Sequence, residues 1–287
     1  MRIIHLTDPH LTSLPSFAAG RFLFNKRFLG AISWSRRQKH HLRSQLDLLV
    51  TEIRADAPDL IICTGDLVQV GTEPEIVQAK NWLDELASIC RVILVPGNHD
   101  CYQQDSYQFM MRYWTPYFFQ EHQEAQEFPS VFQHQGLTFI GLCSAQAEPF
   151  WSARGLLGEG QLEKLKCTLE ASPDTFRCVF LHHPPVHGVD KKRKSLRDAV
   201  SLSRLLEQQN VQMVLHGHVH QNQIYSANKH TKVFATASAS NVASHAPASY
   251  RLFEIKTGVS DWQVIDRLKI FGSSIIEEVS KHSWAVS

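Results

Sequence analysis

No run of about 18 consecutive apolar residues occurs in the 287-residue chain, which excludes a hydrophobic helix long enough to span a bilayer. The opening Met1-Arg2-Ile3-Ile4-His5-Leu6-Thr7-Asp8 meets an acid before an apolar stretch of signal-peptide length accumulates, so cytoplasmic residence is the expectation. The six cysteines (Cys63, Cys90, Cys101, Cys143, Cys167 and Cys178) lack any Cys-x-x-Cys spacing, and several sit in apolar runs such as Leu60-Ile61-Ile62-Cys63. That excludes a disulfide or zinc framework and marks them as small buried hydrophobes. Internal repeats and low-complexity linkers are missing too, and 43% hydrophobic with 20% charged residues excludes a disordered chain. Acidic residues are missing from Pro9 to Leu46, a window that holds Arg21, Lys26, Arg27, Arg36, Arg37, Lys39 and Arg43. The formal net charge of +1 therefore averages a local basic patch with a mildly acidic body.

Short β-type runs alternate with helical patterns: strand Arg2 to Leu6, helix about Leu42 to Ala55, strand Leu60 to Thr64, helix near Glu75 to Ser88, strand Val92 to Val95. This rhythm predicts a mostly parallel, buried sheet with helices outside. Beyond a polar, aromatic stretch from Tyr102 to Phe119, Val131 to His134 and Leu137 to Leu142 read as a hairpin turned at Gln135-Gly136. A helix (Glu159 to Ala171), a strand (Cys178 to Leu181), a helix (Ser195 to Gln209) and a strand (Val211 to Leu215) follow. Only strands follow those: Gln223 to Tyr225, Lys232 to Ala235, Tyr250 to Ile255 and Trp262 to Ile265. The expected fold class is α/β, a two-sheet αββα sandwich in one domain from 1 to 270, with 271–287 as a loosely held tail.

Aspartates and histidines gather where these strands end. Asp8-Pro9-His10 follows the first strand, Gly65-Asp66 the second, Gly97-Asn98-His99-Asp100 the third, His182-His183 a fourth and His216-Gly217-His218-Val219-His220 a fifth. Singly each is weak: a strand-end Asp or His serves as a cap, and Gly-Asn forms turns. In open α/β sheets, however, the carboxyl ends of parallel strands share one edge, where sites form.

In that order, the five motifs resemble the signature of the calcineurin-like metallophosphoesterases over about residues 1 to 240. The resemblance implies that Asp8, His10, Asp66 and His220 hold one metal and Asp66, Asn98, His182 and His218 the other, with Asp66 bridging. It also implies that His99 is not a ligand but stabilises the transition state or protonates the leaving oxygen, with Asp100 orienting its ring. Mixed carboxylate, amide and imidazole ligands suit Mn²⁺, with Fe or Zn²⁺ as alternatives, better than an all-oxygen Mg²⁺ or Ca²⁺ cage. Two such ions, roughly 3.5 to 4 Å apart, would deliver a metal-bound hydroxide in line to a phosphodiester or pyrophosphate. His5, His183 and His216 match no ligand position, and the remaining histidines read as surface or supporting residues.

The insert at 14–43 bears on the substrate. It interleaves Phe17, Phe22, Leu23, Phe24, Phe28, Leu29, Ile32 and Trp34 with cations, as an interfacial membrane element does, although a helical hairpin packing its aromatics on the body has the same composition. The insert resembles that of the UDP-diacylglucosamine pyrophosphatases of lipid A synthesis, which makes a lipid-linked nucleotide at an anionic inner-membrane surface the first expectation. A soluble 3',5'-cyclic nucleotide phosphodiesterase is the alternative. Lys191-Lys192-Arg193-Lys194 is expected to flank the same mouth, where a nucleotide or polyphosphate would use it. Nucleic acid is not the expected partner, because the patch is short for a duplex and no DNA-binding module is visible.

Overall fold

Strands and helices alternate as the apolar periodicity demands. The computed structural model describes residues 1–11, 26–120, 126–243, 246–259, 261–272 and 274–285, with Arg37 by its backbone alone. The first half contains β1 (Arg2–Leu6), α1 (Lys26–Arg37), α2 (Arg43–Asp56), β2 (Leu60–Cys63), α3 (Glu73–Ala87), β3 (Arg91–Leu94) and α4 (Gln104–Phe118). Next come β4 (Ser130–His134), β5 (Leu137–Leu142), α5 (Glu159–Glu170), β6 (Phe176–Leu181), α6 (Ala199–Gln208) and β7 (Met213–His216). β8 (Gln223–Ser226), β9 (Lys232–Ala235), β10 (Ala248–Thr257), β11 (Asp261–Phe271) and β12 (Ile275–Ala285) complete it. Two six-stranded sheets result, ordered β12-β11-β10-β1-β2-β3 and β4-β5-β6-β7-β9-β8. β1, β2 and β3 run parallel in the first, and β5, β6, β7 and β9 in the second.

The side-chain alternation of the second sheet shows why it is a sandwich. Phe139, Cys178, Phe180, Met213 and Leu215 join Ile3, Ile61 and Phe253 of the first sheet in one buried cluster. Their neighbours one residue along, Ile140, Val179 and Val214, turn to Leu165 and Leu169 of α5 and to Leu202 and Leu206 of α6. With both faces covered the strands need apolar residues throughout, hence the uninterrupted burial of β5 and β6. α2, α3 and α4 bring Leu49, Trp82 and Trp114 to the first cluster.

α3 shows how helix capping shapes the future site. Thr72 and Glu75 form a capping box, and Pro74 sits in the first turn, where its missing N–H is no loss. The buried Glu75 carboxylate also accepts N–H groups from Gln69 (2.9 Å) and Val70 (3.2 Å), so one side chain fixes the whole loop between β2 and α3.

Two stretches differ from the sequence expectation. Tyr102 to Phe119 is largely helical: α4 packs on α3 and donates its Trp114 Nε1–H to the Ile76 carbonyl (2.9 Å). The expected loose tail is instead β12, paired along its length with β11 from Ile275 opposite Phe271 to Ala285 opposite Asp261. It is an edge strand whose Ile275, Ile276 and Val279 stay exposed, so the alternation that announces a half-buried strand is weak.

Candidate dimetal site

All five motifs lie just beyond the carboxyl ends of parallel strands: β1, β2 and β3 of one sheet, β6 and β7 of the other. Asp8, His10, Asp66, His218 and His220 all have positive φ, between 44° and 68°. Left-handed backbone is uncommon outside glycine and is least unfavourable for Asp, Asn and His, so these turns suit the residues they present. Close approach fixes the glycines between them. A Cβ at Gly217 would stand 1.9 Å from Thr7 Oγ1 and 2.5 Å from Asp8 Oδ2, and one at Gly97 would stand 2.2 Å from Asp66 Oδ1.

Asp8, His10 and His220 form one group of convergent donors. Asp8 Oδ2 accepts Thr7 Oγ1–H (2.7 Å) and the His218 N–H (3.0 Å), which turns Oδ1 toward His220 Nε2 at 3.0 Å. His10 Nε2 lies 3.4 Å from the same His220 nitrogen. Burial, and after it the neighbouring His41, pushes His10 well below the usual imidazole range, so its ring is neutral. Burial opposes ionisation of Asp8, but the charge of His220 and their hydrogen bond hold the carboxyl low.

The second group, Asp66, His182 and His218, is fully buried, and Asn98 joins it. His182 donates Nδ1–H to the Thr64 carbonyl at 2.7 Å, so in the neutral ring Nε2 presents a lone pair. Around that nitrogen stand Asn98 Oδ1 at 3.2 Å, His218 Nδ1 at 3.1 Å and Asp66 Oδ2 at 3.4 Å. His218 is likewise held through Nε2, by the Lys194 carbonyl (3.1 Å) with Asp190 Oδ2 at 3.3 Å, which leaves Nδ1 as a second lone pair. With the His182 ring neutral, four lone-pair atoms face one point and cannot satisfy one another. They fit a cation, and the backbone carbonyls behind the two rings are the outer partners that metal-binding histidines use. The same demand lifts His182 to about 9, where burial is outweighed by the Asp66 charge. Burial opposes ionisation of Asp66 too, but the charges of His182 and His99 hold it well below the carboxylate range.

His99 donates Nδ1–H to the Gln69 carbonyl at 2.7 Å, in the loop that Glu75 fixes, while its backbone N–H meets Asp66 Oδ1 at 2.7 Å. Its ring crosses that of His10 edge-on, with centroids 5.2 Å apart. Asp100 does not take the expected role of orienting this ring. Its Oδ2 accepts the N–H groups of Asp66 and Gly97 (2.8 Å each), and its Oδ1 those of Leu67 (2.8 Å) and Val68 (3.1 Å). Asp100 thus ties two motif loops together. Burial, then the charge of Asp66, presses its pKa up to about 7, against which the four N–H donors favour the ionised form.

A cavity of about 770 Å³ opens over these residues, with His10, Asp66, Asn98, His218 and His220 on its surface. Of the insert, Arg21, Phe17, Phe22, Leu23 and Phe24 lie outside the described residues. In α1, Arg27 is buried and structural: it grips both Asp105 oxygens (2.8 and 2.7 Å) and donates to the Val70 (3.0 Å) and Gly71 (2.8 Å) carbonyls. Trp34 is buried as well, its ring 5.3 Å from that of His41. Phe28, Leu29 and Ile32 remain exposed, and Leu29 lines the cavity. Lys26 lines it too, held by the Tyr102 carbonyl at 2.7 Å, and burial brings its pKa down to about 8. From the other basic run, Arg193 and Lys194 reach the cavity.

The remaining motif histidines are spoken for. His183 has Ser144 Oγ and the Ala153 carbonyl (2.8 and 3.1 Å), His216 has the Gly217 carbonyl and Tyr225 OH (2.9 and 2.8 Å), and His5 has Thr64 and Thr236. The segment from Gln146 to Ala153, which also lines the cavity, escapes sequence reasoning. It has no period, and only its aromatic pair Phe150-Trp151, standing in a polar loop, hints at a role.

The family model described as calcineurin-like phosphoesterase matches residues 1–222. A probable cyclic nucleotide phosphodiesterase of Synechococcus sp. is 30% identical over 209 residues, covering 71% of this chain and 74% of that protein. A 3',5'-cyclic adenosine monophosphate phosphodiesterase of Haemophilus influenzae is 26% identical over 166 residues, covering 57% of this chain and 55% of the relative. Among solved structures, a dimetal phosphatase from Danio rerio shares the fold with a TM-score of 0.65 at 14% identity, covering 100% of this chain and 99% of that one.

Proposed function

The chain belongs to the calcineurin-like phosphoesterase family, and from that premise we propose that it is a binuclear-metal phosphodiesterase acting on a 3',5'-cyclic nucleotide. The observation that carries the metal chemistry is the convergence of lone pairs from Asp66, Asn98, His182 and His218, beside the second trio of Asp8, His10 and His220. The substrate class follows the named relatives, in which cyclic nucleotide phosphodiesterases recur. In this reading Asp8, His10 and His220 hold one divalent ion, Asn98, His182 and His218 the other, and Asp66 is shared. Mn²⁺ is the proposed metal. Bound there, the ions supply Lewis acidity and charge neutralisation for phosphoryl transfer.

The chain's own groups do the rest. Asn98 directs its oxygen into the site and keeps its NH₂ for a phosphate oxygen. His99, its ring oriented by Nδ1–H on the Gln69 carbonyl, delivers a proton to the leaving oxygen. Lys26, Arg193 and Lys194 make the cavity wall positive toward the substrate anion.

The lipid-linked reading keeps one observation in its favour: exposed Phe28, Leu29 and Ile32 on α1 would suit an acyl chain or an anionic membrane surface. Arg27 and Trp34, which suggested it in sequence, are used in packing. Turnover by the Mn²⁺-loaded protein decides. Hydrolysis of cyclic AMP supports the proposal, and hydrolysis of UDP-diacylglucosamine alone would replace it with the lipid-linked reading.

A further inference from the structure

One element of the cavity serves neither metal nor phosphate. Between β5 and α5 the chain turns at Pro149 to Ser152, closed by the Ser152 N–H on the Pro149 carbonyl at 2.9 Å. Phe150 and Trp151 occupy the two central positions of that turn, where side chains project outward. They are 60% and 63% exposed, their centroids lie 5.0 Å apart edge to face, and both line the cavity that holds the ligand residues.

Their exposure does not reflect a slack loop. The buried Glu148 carboxylate just before the turn accepts Gln146 Nε2–H (2.8 Å), Ser152 Oγ–H (2.5 Å) and the Arg197 guanidinium, with Arg154 at 3.8 Å. Just after it, Ala153 donates its N–H to the Arg193 carbonyl (3.0 Å), and its own carbonyl is met by His183 Nε2 (3.1 Å). Two large rings are thus held against water on a fixed turn beside a charged site. Apolar area of that size is ordinarily buried on folding, and an aromatic held exposed at a site mouth fits a flat ligand.

We infer that the Pro149–Ser152 turn is a nucleobase subsite, on which Trp151 stacks the base of the substrate with the Phe150 ring standing across its edge, while the phosphodiester faces the metal ligands. The inference rests on the nucleotide reading of the substrate and holds for an adenine or a uracil base alike, because stacking uses the π-face that every base has. It makes Trp151 a specificity-determining residue rather than a catalytic one. Base–aromatic stacking of ordinary strength corresponds to a loss on the order of 10- to 100-fold in affinity on truncation to alanine.

The test compares wild type with Trp151→Phe and Trp151→Ala in two measurements. First, tryptophan fluorescence is titrated with cyclic AMP, uridine monophosphate and, as a base-free control, ribose 5-phosphate. Quenching by the two nucleotides but not the control, with that component missing from Trp151→Phe, is expected. Second, the ratio of kcat/KM for cyclic AMP to that for base-free glycerophosphoethanolamine should fall 10- to 100-fold in Trp151→Ala, through KM, and recover most of its value in Trp151→Phe. Equal quenching in wild type and Trp151→Phe, or an unchanged ratio in Trp151→Ala, would overturn the subsite. Base-dependent quenching by a protein that leaves cyclic AMP intact would uphold the subsite and remove the cyclic-nucleotide activity instead.

Discussion

Asp100→Asn separates a scaffold role from a catalytic one. Asparagine keeps one acceptor oxygen and replaces the other by NH₂. With the oxygen left on Leu67 and Val68, the NH₂ would face the N–H groups of Asp66 and Gly97, each now 2.8 Å from an acceptor. Each buried donor left facing a donor costs about 1–3 kcal/mol, so the pair costs about 4 kcal/mol. For a domain of this size each kcal/mol moves Tm by roughly 2–4 °C, which predicts a fall of roughly 8–16 °C. Because those N–H groups belong to the loops carrying Asp66 and Asn98, metal content should drop with stability. Thermal unfolding and elemental analysis of the variant read both. A variant that melts within about 2 °C of wild type and binds metal normally, yet turns over slowly, would refute the scaffold assignment and put Asp100 at the reacting atoms.

His99→Ala, by contrast, should keep both ions and the wild-type Tm while kcat falls about 10²- to 10⁴-fold, the usual contribution of a positioned acid. Normal turnover by that variant would strike His99 from the mechanism. Lys26, brought by burial to about 8, is cationic below that pH and neutral above it, so KM should rise as pH passes 8. In Lys26→Met that rise should disappear, and its persistence would assign the titration to another group. Exhaustive chelation should abolish hydrolysis of every phosphodiester and Mn²⁺ should restore it, whereas turnover surviving complete metal removal would contradict a dimetal site.

Much of the sandwich is legible in the sequence because buried strands leave an unmistakable mark. Leu60-Ile61-Ile62-Cys63 and Cys178-Val179-Phe180-Leu181 offer nothing polar to a solvent face, so each must lie between two layers. The candidate ligands are legible for a related reason: Asp, Asn and His directly after such runs fall on one edge of the sheet. What stays hidden depends on contacts between distant residues. Nothing near Arg27 announces that this cation of a basic insert will be buried, since its partner Asp105 lies 78 residues away. α4 is masked by its crowd of aromatics and by Pro116, a proline inside the helix that removes one i→i−4 hydrogen bond. Asp100 sits beside His99 in sequence and suggests a pair, yet its oxygens are captured by four backbone groups, and those of Asp66, Leu67 and Val68 are near only once the loops fold.

Both groups of candidate ligands draw on the two sheets at once. Asp8 and His10 leave β1 while His220 follows β7, and Asp66 and Asn98 leave β2 and β3 while His182 and His218 follow β6 and β7. An ion in either group would therefore act as a clasp across the seam of the sandwich, and any shear between the layers would open its coordination. Stability and metal affinity become one linked quantity, increasing with the logarithm of free metal once the sites begin to fill. Melting temperature measured against metal concentration would then report binding even in the absence of a known substrate.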